Sequence, residues 1–124
     1  MTIKQAIDRV DKMSPNAYSR DIKIAWLSTL DDLIYTKIIL THEGAPDDGF
    51  TEYDEDTPLD TGLLVSEPYS EIYYYWLRSK IDEANGEYNG YNNNSAHYNA
   101  WYSDFEAYYN RTHMPITKGR EVYF

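Results

Sequence analysis

At 124 residues the chain has room for one domain, and its 42% hydrophobic residues suffice for a modest core. Twenty-one acidic residues against 11 basic ones give a net charge of −10, the wrong sign for a protein that grips nucleic-acid phosphates. Cysteine is absent, which excludes disulfides and thiolate metal sites and fits a reducing cytoplasm. Met1-Thr2-Ile3-Lys4-Gln5 does not open like a secretion signal, and no apolar run approaches the roughly 20 residues that span a bilayer.

Thr2 can cap a first helix over 3–13, in which Ile3, Ala6, Ile7 and Val10 recur at helical spacing. Ser14-Pro15-Asn16 ends it, because proline disfavours helix in the residue before it. Ser19 caps a second helix over 19–41, with Asp21 in the first turn where negative charge suits the dipole. Its main apolar stripe is Ile22, Trp26, Leu30, Leu33, Ile34 and Ile38, while Ile24, Leu27, Lys37 and Leu40 partly fill another face. Gly44 stops it.

Residues 43–62 form an acidic connector. Glu43, Asp47, Asp48, Glu52, Asp54, Glu55, Asp56 and Asp60 stand there with no Lys or Arg, so most of the net charge sits in one loop. Glycines and prolines punctuate it and helical periodicity is missing, which predicts a mobile, structureless stretch pinned locally by Phe50 and Tyr53. Leu63-Leu64-Val65 is too short to assign to strand or to extended tether.

Ser70 caps a third helix, with Glu71 in its first turn. Tyr73, Leu77, Ile81, Ala84, Tyr88 and Tyr91 keep helical spacing through Asn85-Gly86, which predicts one helix over 70–91. The rival reading stops it at Gly86, as a C-terminal glycine does. Asn92-Asn93-Asn94 then breaks the chain and Ser95 caps a fourth helix over 95–111, whose aromatic face is Tyr98, Trp101, Tyr102, Phe105, Tyr108 and Tyr109. The last two helices should pack as an antiparallel pair with Leu77, Ile81, Tyr98, Trp101 and Phe105 buried between them. Residues 115–124 read as an extended tail carrying Lys118, Arg120, Tyr123 and Phe124. The expected fold is therefore mainly α: a bundle of about four helices in one domain over 1–114, with the acidic loop inside it and the tail behind it.

Fourteen tyrosines against 3 phenylalanines are unusual. They serve either a core built with Tyr in place of Phe or surfaces buried against a partner. Catalytic signatures are missing. Neither register of the acidic loop places oxygens as an EF-hand requires, since Pro58 falls on a ligand position in both. His42-Glu43 begins like a zincin motif, but Pro46 stands where the second histidine belongs. There is no Gly-x-Ser-x-Gly, no Walker A run and no Gly-x-Gly-x-x-Gly. Asp31-Asp32 and Asp82-Glu83 read as solvated surface pairs. Base stacking by the aromatics would need interleaved cations, and residues 69–110 hold only Arg78 and Lys80. The chain reads as a non-enzyme without metal or cofactor.

The order of features resembles the small head–tail adaptor (head-completion, connector) proteins of tailed bacteriophages and prophages. A short first helix precedes a helix with Trp26-Leu27. A variable loop leads to Leu63-Leu64-Val65-Ser66-Glu67-Pro68-Tyr69. A Tyr-rich helix pair follows, from Glu71-Ile72-Tyr73-Tyr74-Tyr75-Trp76-Leu77 to Tyr109-Asn110-Arg111-Thr112-His113-Met114-Pro115. The resemblance covers about residues 3–115. It implies a homo-oligomeric ring, commonly of twelve subunits, in the virion neck. Such a ring assembles in the host cytoplasm between the portal protein and the next neck or tail protein. DNA passes through it without specific binding, and no reaction, small-molecule substrate or membrane is involved. Within that frame the candidate docking loop is Phe50, Tyr53, Asp54, Glu55 and Asp56, and the candidate tail contacts are Lys118, Arg120, Tyr123 and Phe124. The alternative is a small acidic regulator or binding module that occupies a basic protein surface.

Overall fold

The computed structural model describes residues 1–116. Four helices account for the architecture: α1 (Ile3–Met13), α2 (Arg20–Ile34), α3 (Glu71–Asn85) and α4 (Tyr88–Thr112). A π-helical turn, Tyr35–Ile39, continues α2 without a break, and Leu40 N donates to Tyr35 O at 2.8 Å in its i→i−5 pattern. Among the described residues there is no strand, only isolated bridges pairing Thr2 with Gly62 and His42 with Pro115.

Capping follows the sequence closely in the first half. Thr2 Oγ1 accepts from Gln5 N at 3.1 Å and Gln5 Oε1 accepts from Thr2 N at 2.9 Å, a reciprocal capping box. The remaining free amides of that turn are met by the acidic loop: Ile3 N donates to Thr61 O at 3.1 Å and Lys4 N to Leu59 O at 3.0 Å. Ser19 caps α2 through Ile22 N. Ser70 stands at the corresponding place before α3, but its backbone is already helical and its buried hydroxyl bonds nothing among the described residues.

The core is one cluster. Ile3, Ala6, Ile7 and Val10 of α1 meet Ile24, Leu27, Leu30 and Ile34 of α2, then Ile38 of the π turn, Ile72, Tyr73, Leu77 and Ile81 of α3, and Phe105 of α4. The stripe of α2 that faces inward is therefore Ile24, Leu27, Leu30, Ile34 and Ile38. Ile22, expected inside, is 43% exposed, and Trp26 and Leu33 lie at the rim. The two candidate stripes share Leu30, Ile34 and Ile38, and only packing chooses between their N-terminal halves. Lys23, beside Ile24, is buried too; its ammonium donates to Asp11 at 2.6 Å and to Tyr18 O at 2.8 Å, which joins α2 to α1.

The second half corrects the sequence reading. The helix expected to run through Asn85-Gly86 stops there. Gly86 takes a left-handed conformation with φ +72°, and α4 starts again at Tyr88, so the Asn92–Asn94 segment and Ser95 lie inside a helix. The extra periodic positions are surface: Ala84 is exposed and Tyr88 is 72% exposed. With only Gly86 and Glu87 between them, α3 and α4 fold back antiparallel. Asp82 meets Asn94, Trp76 meets Tyr98, and Tyr69 meets Phe105 and Tyr108 along the seam.

Asp82, expected on the surface, is buried at the tight end of this hairpin, where Asn94 Nδ2 donates to its Oδ2 at 2.7 Å. Gly90 makes that approach possible. A Cβ at position 90 would lie 2.7 Å from Asp82 Oδ2. Gly90→Ala is expected to displace the carboxylate and cost about 1–2 kcal/mol despite alanine's better helix propensity. In an Asp82→Ala background the same change should become stabilising by up to about 1 kcal/mol. Urea unfolding of the four-member cycle reads the reversal of sign.

Beyond α4 the chain turns onto the end of the α2 segment. Glu43 N donates to Met114 O at 2.8 Å and Ile116 N to Thr41 O at 2.9 Å. Residues 114–116 thus belong to the body of the domain. The tail positions Lys118, Arg120, Tyr123 and Phe124 lie outside the described residues.

Candidate functional site

Asp31 is the unexpected centre of the acidic loop. It lies on the inward stripe of α2 between Leu27 and Ile34 and is fully buried, whereas its neighbour Asp32 is exposed. Its Oδ1 accepts from the Tyr73 hydroxyl at 2.6 Å. Its Oδ2 accepts from the Tyr53 hydroxyl at 2.6 Å and from Leu64 N at 3.1 Å. The Tyr73 hydroxyl in turn accepts from Val65 N at 2.8 Å. One carboxylate therefore ties α2, α3, the middle of the loop and its exit into a single network.

Burial pushes the Asp31 carboxyl above the usual carboxylate range, and the hydrogen bonds from Tyr53, Tyr73 and Leu64 N pull the other way. Both phenols are held protonated to higher pH than usual, first by burial and then by the neighbouring carboxylate. Both carboxylate oxygens have donors and both phenols have an acceptor, which is the condition for tolerating the group.

Around this anchor the loop is ordered by contacts though it has no regular structure. Tyr53 N donates to Ser28 Oγ at 2.9 Å. Phe50 lies against the Tyr35 ring at 6.2 Å and edge-on to Tyr53 at 5.3 Å. Asp54 Oδ1 accepts from Asp56 N at 2.9 Å, and Thr57 Oγ1 accepts from Asp54 N at 2.8 Å, forming a tight turn. Leu63 N donates to Met1 O at 2.8 Å. Leu63-Leu64-Val65 is accordingly an extended tether, with Leu63 and Val65 in the core. The expectation of an unstructured connector misses this clamp.

The sequence candidates Phe50, Tyr53, Asp54, Glu55 and Asp56 are brought together in this loop. Phe50 and Tyr53 are half-buried, with their outer flanks exposed, and the three acids are fully on the surface. Beside them lies a shallow groove of about 420 Å³ lined by Phe50, Tyr53, Thr57, Pro58, Thr61 and Leu64. On the other flank of Tyr53 a smaller, more polar depression of about 270 Å³ runs over Ser28, Thr29, Asp32 and Glu52. Glu52 lines both depressions, and Asp54, Glu55, Asp56 and Asp60 of the same loop are exposed. Among the described residues no three His, Asp or Glu side chains converge as a metal set.

The tyrosines divide between the core and the rim of the domain. Tyr73 and Tyr74 are core residues with polar partners; Arg78 donates to the Tyr74 hydroxyl at 2.8 Å, and the Arg9 guanidinium, paired with Glu71, sits 4.6 Å above its ring. Tyr18, Tyr98 and Tyr102 are half-buried at the rim, around Trp26 and Trp76, whose indole donates to Trp26 O at 2.7 Å, and Tyr108 is half-buried against Tyr69 and Phe105. His42 is buried against α4, donating from Nδ1 to Ile38 O at 2.6 Å, with Nε2 2.7 Å from the Asn110 side-chain amide. That places His42 in a structural role.

Comparison with known proteins adds no relative: no family model, no curated protein and no solved structure matches the chain. No helix among the described residues is long and apolar enough to cross a membrane.

Proposed function

We propose that this protein is a structural virion-assembly protein, a head–tail adaptor of a tailed bacteriophage or prophage. Its copies form a ring that docks on the portal and joins head to tail, with DNA passing through and no reaction or cofactor involved. The observation that carries this reading is the acidic loop, which Asp31 clamps to a helical scaffold so that one segment presents both an apolar groove and a run of exposed carboxylates. Apolar area accompanied by charge is the anatomy of a protein-docking surface, and pre-ordering lowers the entropy cost of binding. The order of features shared with the adaptor family points the same way.

A second reading is a small acidic module that occupies a basic protein surface in place of nucleic acid. The density of exposed carboxylates over 47–60 favours it. The test is binding to purified portal at low and high salt, followed by electron microscopy, with the protein and with its Asp54→Asn, Glu55→Gln, Asp56→Asn variant. Ring density on the portal is expected. The variant should bind several-fold more weakly at low salt, with a flatter salt dependence, because less charge is left to screen. A chain that stays monomeric or dimeric and ignores the portal would support the module instead. Equal binding by the variant would remove the loop's charge from the contact.

A further inference from the structure

The groove and the tail of this chain are complementary. The groove offers Phe50 and Tyr53 with Pro58 and Leu64, Glu52 lines it, and the same loop exposes Asp54, Glu55, Asp56 and Asp60 and holds no cation. Such a surface suits a segment with an aromatic or aliphatic anchor and flanking positive charge. Residues 117–124, Thr117-Lys118-Gly119-Arg120-Glu121-Val122-Tyr123-Phe124, have that character: the cations Lys118 and Arg120, one acid, Glu121, and then three apolar residues, two of them aromatic.

We infer that the groove of one subunit receives residues 117–124 of a second copy of this chain. The place where the segment leaves the domain argues for a second copy. Ile116 is paired with Thr41, and Leu40, Met114 and Ile116 around that point are 46%, 63% and 52% exposed. These three apolar side chains stand exposed near the root of the segment. Folding back onto the chain's own groove would leave them in water. Passing to a neighbour brings a second surface against the root and fills the neighbour's groove in the same contact. The two surfaces differ, so the contact is heterologous, head-to-tail, and each subunit keeps a free groove at one end and a free segment at the other. Such a contact closes into a ring when the rotation permits, so the inference deepens the adaptor reading and rests on its homo-oligomer.

Two variants isolate the halves. Deleting residues 117–124 removes the segment and leaves every described contact intact. Gly62→Trp fills the groove from its wall, at a position where an added Cβ meets nothing within 4 Å. Sedimentation velocity on the full chain over a wide concentration range should show self-association that weakens with salt. Each variant should raise the dissociation constant at least tenfold. Mixed together, they should form a one-to-one complex that grows no further, because the deletion variant supplies the only open groove and the Gly62→Trp variant the only segment. Far-ultraviolet circular dichroism checks that both variants are folded. Self-association unchanged by the deletion would overturn the inference. So would a monomer at all concentrations whose segment crosslinks to its own groove, or a mixture that stays unassociated. Portal binding is read separately: a chain that associates by segment and groove but ignores the portal sinks the adaptor reading alone.

Discussion

Asp31→Ala should lose on the order of 3–5 kcal/mol of folding stability, a large share of what a domain of this size possesses. The substitution leaves the Tyr53 and Tyr73 hydroxyls and Leu64 N without their acceptor in a site closed to water. Asp31→Asn keeps the shape but presents an amide N–H to at least one of those donors, and should cost less, about 1–3 kcal/mol. The loss should be local in its first effect: amide exchange at Leu64 and Val65 should accelerate before that of α3. Denaturant unfolding and hydrogen exchange together read both. A loss below about 1 kcal/mol, with Leu64 and Val65 still protected, would mean that the carboxylate does not clamp the loop.

The same residue has a pH signature whose sign follows from its environment. Burial raises the folded-state pKa above that of the unfolded chain, so the native state takes up this proton first. The stability gained by protonation is complete below the unfolded carboxylate range and is lost as pH rises through the folded value. The stability difference between the protein and Asp31→Asn should therefore widen as pH falls from neutrality towards the ordinary carboxylate range, as Asp31 begins to protonate in the fold alone. Glu71 acts in the opposite sense: hydrogen bonding to Arg9 lowers its pKa, so its small contribution is present at neutral pH and fades in acid. The exposure of both partners, about a third, keeps that contribution small.

Phe105→Ala is the second large effect, expected to cost about 3–5 kcal/mol. Phe105 is the one apolar side chain of α4 that is fully buried, and it holds the helix to Tyr69, with ring centroids 6.0 Å apart, while Tyr108 and Tyr109 flank it. The spacing of the aromatics predicts the same loss at Trp101. The structure packs Trp101 against the core but leaves it partly exposed, which puts its expected cost in the isolated subunit below that of Phe105, at about 2–3 kcal/mol. Equilibrium unfolding in urea at low protein concentration ranks the two. A Trp101 loss equal to that of Phe105 would mean that Trp101 is as fully enclosed as Phe105.

These cases show where the sequence was legible. Helix existence came through because the apolar spacing of α1 and the signals at Thr2, Pro15 and Ser19 agree with one another. The break after α3 was misread because Ala84, Tyr88 and Tyr91 extend the period by chance, and glycine competes weakly against a regular pattern. Gly86 held the right answer through its left-handed conformation, and Gly90 records a close approach that no periodicity encodes. The acidic loop was visible as charge, but its anchor was not. Asp31 has the spacing of a core residue and the chemistry of a surface one. The chemistry prevailed in the reading because its partners Tyr53, Leu64 and Tyr73 are supplied from elsewhere in the chain.

The separation of those partners along the chain also sets an order of assembly. α3 and α4 meet across Gly86 and Glu87 alone, so their aromatic seam closes at little entropic cost and can serve as a nucleus. The Asp31 hydrogen bonds span 22, 33 and 42 residues, and they require α2, the hairpin and the returning loop to be in place already. Their separation along the chain makes them the contacts expected to form last, after the rate-limiting step. The network therefore acts on how long the native loop survives rather than on how fast the chain finds it, and weakening it speeds unfolding while refolding keeps its pace.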